Sequence, residues 1–151
     1  NNFGNLFSRF IKLFAKHFPN GVEVNATQLT SANLELLSKV SANEIACTSY
    51  IENFSPTAAG RTFVETGALL NADFQQREPW KILDRTELAE YLWTLHKCLA
   101  RLTRIGACLV PDIARKARDG LCLQDAQDIK GRLTGESCVN VREIESLFPR
   151  L

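Results

Sequence analysis

Two polar side chains that could recognise nucleic acid lie one helical turn apart near the start of the chain. Asn5 and Arg9 share a stripe with Lys12 and Lys16, opposite a side rich in phenylalanine. An asparagine amide can donate to and accept from the edge of a base, and a guanidinium is a planar fork that pairs or stacks. A helix cap beside a solvated arginine would give the same pattern, so the stripe alone indicates only a candidate base-binding face.

A second candidate is the aromatic side chain in the tripeptide Glu78-Pro79-Trp80. Proline disfavours the helical conformation in the residue before it, so we expect Trp80 in a connector directly after a helix. Unpaired RNA bases stack on aromatic side chains held in this way. The alternative is a tryptophan that closes one end of a hydrophobic core.

The sequence offers no pattern for catalysis, nucleotide binding or metal coordination. Neither of the glycine-rich phosphate-binding motifs, G-x-x-x-x-G-K-[ST] and G-x-G-x-x-G, is present. The G-x-S-x-G motif of a nucleophile elbow and the H-E-x-x-H motif of a zinc helix are also absent. Its five cysteines form no C-x-x-C pair and have only two histidines beside them, so the spacing of a zinc site is absent. We therefore expect no catalytic residue, no metal and no cofactor in these residues, and a binding module rather than an enzyme active site.

Length and composition are those of one ordinary globular domain. The chain has 151 residues, of which 45% are hydrophobic and 23% charged, and a formal net charge of +1. Basic residues are nevertheless concentrated in residues 1–22 and 97–118, and such local fields attract phosphates. Scattered cysteines favour a reducing, cytoplasmic location, and no apolar run is long enough to cross a membrane. Because methionine is absent even at position 1, we expect a piece of a longer chain.

Apolar residues recur at helical spacing in five segments, which capping and helix-breaking residues separate. The predicted helices cover residues 3–18, about 32–53, 56–78, 84–110 and 111–120. The connections are short, so the fold class predicted is all-α, an up-down bundle of four or five helices.

The same periodicity predicts which sides face the core. In the second helix Tyr50 and Ile51 are expected inward, and Gly67 in the third is expected to permit close helix approach. The fourth helix has a leucine stripe, and the residues on its opposite side are expected to form a binding surface, for an RNA backbone or for another domain. These residues are Trp93, Lys97, Arg101 and Arg104.

Three segments resemble sequences of one enzyme family. The opening NNFGNLFSRFIKLFAKHFPNGVEV is similar to the segment that begins the anticodon-binding domain of methionyl-tRNA synthetases. LLNADFQQREPWKI resembles the N-x-Y…P-W-K segment of that family, and the closing SLFPRL resembles its L-F-P-R-I. The three matches follow the family's order and span Asn1 to Leu151.

The resemblance implies a helical domain that follows a class I catalytic domain and receives the CAU anticodon of tRNA(Met). Carried over by matching motif, Asn5 and Arg9 would contact anticodon bases. Trp80 would stack on a base, and Pro79 would fix its pose. The partners implied are the tRNA(Met) anticodon stem-loop and the catalytic domain of the parent chain, which would use ATP and Mg²⁺. Phe74 stands where the family often has tyrosine, which removes a hydroxyl contact, and residues 120–145 match only loosely.

Two other functions stay open at this point. The class I synthetases for leucine, isoleucine, valine and cysteine have a similar bundle, although the combination of Asn5, Arg9 and Pro79-Trp80 favours methionine. The second alternative is a bundle without RNA binding that docks another protein domain through Trp93 and the basic residues on the same side of the fourth helix. RNA binding should weaken steeply with salt and should prefer CAU loops, which separates the two classes.

The resemblance also makes a geometric demand, because Asn5 and Trp80 must converge. The first and third helices of a simple up-down bundle run parallel, so the start of one lies far from the end of the other. We therefore expect an oblique first helix or an irregular topology.

Overall fold

Helices dominate the computed structural model, which describes residues 2–123, 138–144 and 147. In these residues the helices are α1 (Asn2–His17), α2 (Ser31–Glu52), α3 (Pro56–Arg77), α4 (Arg85–Ala107) and α5 (Pro111–Gly120). The predicted all-α bundle is confirmed. The sequence pattern did not indicate the small sheet, in which β1 (Val22–Glu23) pairs antiparallel with β2 (Cys138–Val139). Strands of two residues are too short to show an alternating pattern.

Local residues explain where the helices begin. Asp84 caps α4, because its carboxylate oxygen accepts a hydrogen bond of 2.9 Å from the backbone N–H of Glu87. Pro56 and Pro111 occupy the first positions of α3 and α5, where a missing N–H costs no helical hydrogen bond. The chain leaves α1 through Gly21, which has φ +89° and would place a Cβ 2.8 Å from the carbonyl oxygen of Val139.

The core lies between the aromatic side of α1 and a central α4. All five phenylalanines of the opening segment are buried, as their spacing predicted: Phe3, Phe7, Phe10, Phe14 and Phe18. Helix α4 is buried on nearly every side, because α2, α3 and α5 all pack against it and α1 touches it as well. A helix surrounded in this way has no broad solvent face.

The central position of α4 overturns the prediction for Trp93. This side chain is only 5% exposed and belongs to the same core cluster as the leucines. Lys97 lies one turn away with its Nζ 5.2 Å from the centroid of the indole ring, so the two side chains form a cation–π pair. It forms at a half-buried position, however, and Trp93 is not available to a partner.

Arg101 and Arg104 are also not the open basic surface that was predicted. Both pair with Glu44 of α2, at 2.6 Å from Arg101 Nη1 and 2.9 Å from Arg104 Nε. All three side chains are less than a third exposed. The two arginines therefore join α2 to α4, and the prediction of a free face on this helix was wrong.

Two further packing predictions differ from the structure. Tyr50 and Ile51 are exposed, because they lie in the last turn of α2 beside the tight turn into α3, at the end of the bundle. A Cβ on Gly67 would meet its neighbours at ordinary distances of 3.8 Å or more, so this glycine is not required for close approach. The tight positions are Gly106 and Gly120, where a Cβ would lie 2.9–3.0 Å from a phenylalanine ring.

A buried histidine ties the last described segment to the bundle. His96 Nε2 lies 2.9 Å from the carbonyl oxygen of Leu121 and 3.1 Å from that of Asn140. Both partners are acceptors only, so Nε2 carries the hydrogen and donates to them. Burial lowers the pKa of His96 to about 4, which keeps the ring neutral.

Within the part of the chain that is described, none of the helices combines the length and apolar character that crossing a bilayer requires.

Candidate nucleic-acid interface

The guanidinium of Arg9 contacts two aromatic rings, those of buried Phe74 and exposed Trp80. Its guanidinium carbon lies 5.0 Å from the centroid of the Phe74 ring and 5.1 Å from that of the Trp80 ring. The two rings are themselves 5.7 Å apart and tilted by 57°. These distances are those of cation–π contacts, which orient the guanidinium and the rings relative to each other. The structure thus brings together the two segments that the sequence had singled out separately.

This meeting depends on how far α1 is displaced along α3. Phe3, at the start of α1, packs on Phe63 and lies beside Gly67, both in the middle of α3. From there the two helices run in the same direction, so Arg9 reaches Phe74 near the end of α3. In the structure Arg9, one turn after Asn5, is the residue that contacts Trp80, and an axial shift of α1 along α3 accounts for this contact.

The connector that displays Trp80, residues 78–84, starts with a sharp change of direction. Glu78 has the left-handed conformation with φ 45°, and Pro79–Lys81 form a single 3₁₀ turn closed by the hydrogen bond from Lys81 N to the carbonyl of Glu78 at 2.8 Å. Pro79 is buried, whereas Trp80 is 43% exposed. The indole is therefore neither a core plug nor fully solvated, since it packs on Phe74 and Arg9 and leaves much of its surface accessible.

A network of polar side chains holds the end of α3 beneath this connector. Arg77 bonds to Asp73 at 3.1 Å and to Asn33 of α2 at 2.6 Å, and its guanidinium lies 4.9 Å from the Tyr91 ring centroid. The Tyr91 hydroxyl donates to Asp73 at 2.9 Å. Burial, followed by the charge of Asp73, raises the pKa of Tyr91 well above its ordinary value. Sequence reasoning missed this network, although the i,i+4 spacing of Asp73 and Arg77 was a signal for one part of it.

The remaining predicted side chains of α1 lie on the surface beside Arg9. Asn5, Lys12 and Lys16 are exposed, whereas Arg9 is half-buried. Residues four apart on a helix are neighbours, so Asn5 lies one turn from the Arg9–Trp80 contact. The exposed face of α1 therefore combines an amide, a guanidinium and two ammonium groups next to an accessible indole.

Arg85, at the start of α4, is a basic residue at this surface that the sequence analysis did not single out. It is exposed, and its Nη2 donates to the carbonyl oxygen of His17 at 3.2 Å. Its guanidinium carbon lies 4.7 Å from the centroid of the Phe18 ring. The pairing links the end of α1 to the start of α4, and no local pattern in the sequence could have revealed it.

No group of three or more histidine, cysteine, aspartate or glutamate side chains arranged to hold a metal ion occurs among the residues that the structure describes. Of the closing motif SLFPRL, only Leu147 is described, and it is buried. The other residues of that motif, and residues 124–137 within the loosely matching stretch, lie outside the described part of the chain.

Comparison with solved structures identifies the architecture. The apo form of Mycobacterium tuberculosis methionyl-tRNA synthetase superposes with a TM-score of 0.79 at 16% sequence identity, over 100% of this chain and 32% of that one. The chain has the fold of part of methionyl-tRNA synthetase. Two structures of the M. tuberculosis enzyme with methionyl-adenylate give TM-scores of 0.74 at 17–18% identity, over 99% of this chain and 31% of theirs.

The likeness to methionyl-tRNA synthetase is therefore one of fold. The chain spans about a third of the length of those synthetase chains. No protein-family model matches the sequence, and no curated protein matches it.

Proposed function

We propose that this chain is the anticodon-binding domain of a methionine–tRNA ligase, which makes methionyl-tRNA from methionine, ATP and tRNA. The observation that carries the proposal is the contact between Arg9 and Trp80, 5.1 Å from guanidinium carbon to ring centroid. These residues belong to the two motifs that resemble the family, and a chance resemblance would give no reason for them to meet. The fold of a synthetase part is independent support.

Each side chain has a role that its chemistry permits. The accessible face of Trp80 stacks on one anticodon base, and buried Pro79 holds the turn from which the indole projects. Asn5 reads the edge of a neighbouring base, and Arg9 both supports the indole and donates to the RNA. Lys12 and Lys16 attract the phosphate backbone along the exposed side of α1.

The parent enzyme supplies what this domain lacks. The catalytic domain of the same chain would bind ATP and Mg²⁺ and would be the second partner of the bundle. The parent enzyme would act in the cytoplasm, where it would supply methionyl-tRNA for translation.

A protein-docking function is less well supported. It relied on Trp93 and on the basic side of α4, but Trp93 is buried and Arg101 and Arg104 are paired with Glu44. An anticodon domain of another class I synthetase remains the nearest alternative, and the choice of anticodon in the test below decides between them.

The test is binding of fluorescent RNA stem-loops, followed by anisotropy. We expect the chain to bind a CAU loop more tightly than loops with the leucine, isoleucine, valine or cysteine anticodons. Since stacking contributes about 1–3 kcal/mol per base, Trp80→Ala should weaken CAU binding by roughly tenfold or more. The thermal midpoint should change little, because the indole is 43% exposed.

Leu83→Ala is the matched control for Trp80→Ala. Leu83 lies in the same connector and is 98% exposed, so its loss should leave both RNA binding and stability unchanged. Equal affinity for all loops, or unchanged CAU binding by Trp80→Ala, would contradict the proposed function. If Trp80→Ala mainly unfolds the domain, the indole is a core residue instead.

A further inference from the structure

The connector is flanked by two arginines that lie on aromatic rings. At its beginning, Arg9 lies against both Phe74 and Trp80. At its end, Arg85 lies on Phe18, with 4.7 Å between the guanidinium carbon and the ring centroid. Both guanidinium groups are thereby held in a fixed orientation on the same side of the bundle.

The distance between these two arginines follows from the geometry of α1. Trp80 lies beside Arg9, whereas Arg85 donates to the carbonyl of His17, eight residues later in the same helix. At 1.5 Å per residue the separation along the helix axis is about 12 Å. The connector therefore runs alongside the second half of α1, whose exposed side carries Lys12 and Lys16.

The charges around this path favour an anion. Residues 1–22 contain no aspartate or glutamate. On the connector, Glu78 pairs with Lys81 at 2.7 Å, and Asp84 accepts the hydrogen bond that caps α4. Glu87 is exposed in the first turn of α4, but residues two apart on a helix do not face each other, so it does not neutralise Arg85.

Arg85 is suited to a phosphate rather than to a base. A guanidinium has five N–H donors in a fixed plane, and the contact to His17 uses one nitrogen of the fork. Contact with the Phe18 ring already restricts the conformations of the Arg85 side chain. Phosphate binding therefore costs less side-chain entropy than it would at a free arginine. We propose that Arg85 binds a phosphate of the RNA strand whose base stacks on Trp80. The connector and the second half of α1 then form one track for the RNA backbone.

This inference rests on the proposed RNA-binding function, and the test separates the two. Arg85→Gln removes the charge, and because Arg85 is exposed the fold should be retained. For CAU stem-loops, the slope of log binding constant against log salt concentration should become less steep by about 0.7–1 unit. The loss should be the same for loops with other anticodons, because a phosphate contact does not depend on the base.

Arg61→Gln is the matched control, since it removes one positive charge from an exposed site sixteen residues before the end of α3, about 24 Å along that helix. It should leave the salt slope unchanged. If Arg85→Gln behaves like Arg61→Gln while Trp80→Ala still weakens CAU binding, Arg85 only joins α1 to α4 and this inference is wrong, but the proposed function stands. If the unmodified chain binds no stem-loop, both are overturned.

Discussion

Arg9 and Trp80 form a single structural unit, in which the guanidinium carbon lies 5.1 Å from the indole centroid and 5.0 Å from the centroid of the neighbouring Phe74 ring. The arginine therefore occupies part of the indole surface before any ligand arrives. A base that stacks on Trp80 must use the remaining accessible part, and the orientation of the indole depends on Arg9.

Loss of Arg9 should free the indole. In a Trp93→Phe background, where Trp80 is the only tryptophan, Arg9→Gln should increase quenching of the fluorescence by acrylamide. The change removes contacts that contribute about 0.5–1 kcal/mol each at exposed sites. Lys12→Gln alters the charge of the same face without touching the indole and should leave quenching unchanged. Equal quenching in the Arg9→Gln and parent proteins would show that the arginine does not orient Trp80.

The buried His96 should make the fold sensitive to mild acid. Its pKa is lowered from the ordinary 6.5 to about 4, so the unfolded chain binds a proton more readily than the folded one. The stabilisation is complete above pH 6.5 and is lost as the pH falls towards 4. Between pH 7 and pH 5 this group alone should reduce the free energy of unfolding by about 2 kcal/mol.

Urea unfolding of the chain and of His96→Gln at both pH values checks this effect. The glutamine amide can donate to the carbonyls of Leu121 and Asn140 but does not titrate. The variant should therefore lose much less stability than the parent between pH 7 and pH 5. Parallel losses in the two proteins would assign the acid sensitivity to other groups.

Glu44 should be more important for stability than its surface position suggests. It is the shared partner of Arg101 and Arg104, and all three are less than a third exposed. Glu44→Gln leaves two partly buried cations without a countercharge and should destabilise the fold by about 1–3 kcal/mol. Glu35→Gln breaks an exposed pair with Lys39, which solvent screens, and should leave stability nearly unchanged. Denaturant midpoints measure both, and similar values would contradict the structural role assigned to Glu44.

Two glycine-to-alanine changes should have opposite effects. A Cβ on Gly106 would lie 2.9 Å from Phe63, so Gly106→Ala should destabilise the packing of α4 against α3 by about 1–3 kcal/mol. A Cβ on Gly60 would meet nothing within 4 Å, so Gly60→Ala in the interior of α3 should stabilise by about 0.5–1 kcal/mol. Thermal unfolding of the two variants compares them directly. A neutral Gly106→Ala would show that the Phe63 ring can move away.

Helix boundaries could be predicted because their causes are local. The Asp84 cap acts within three residues, and Pro56 and Pro111 act at their own positions. The buried aromatic side of α1 could also be predicted, since that helix has one covered side and one exposed side. In α4 the spacing of apolar residues predicted the wrong environment for Trp93. Several helices pack around α4, and the leucine stripe indicates only one of its buried sides.

By itself, the sequence determined the helices and the exposed polar stripe of α1, together with a tryptophan placed just after a helix end. Only the tertiary structure decided that Arg9 meets Trp80 and that Arg85 meets Phe18. The reason is physical. Caps and periodicity act within one or two turns, whereas the axial shift of α1 along α3 depends on how Phe3 packs against Phe63 and beside Gly67, residues far apart in the chain.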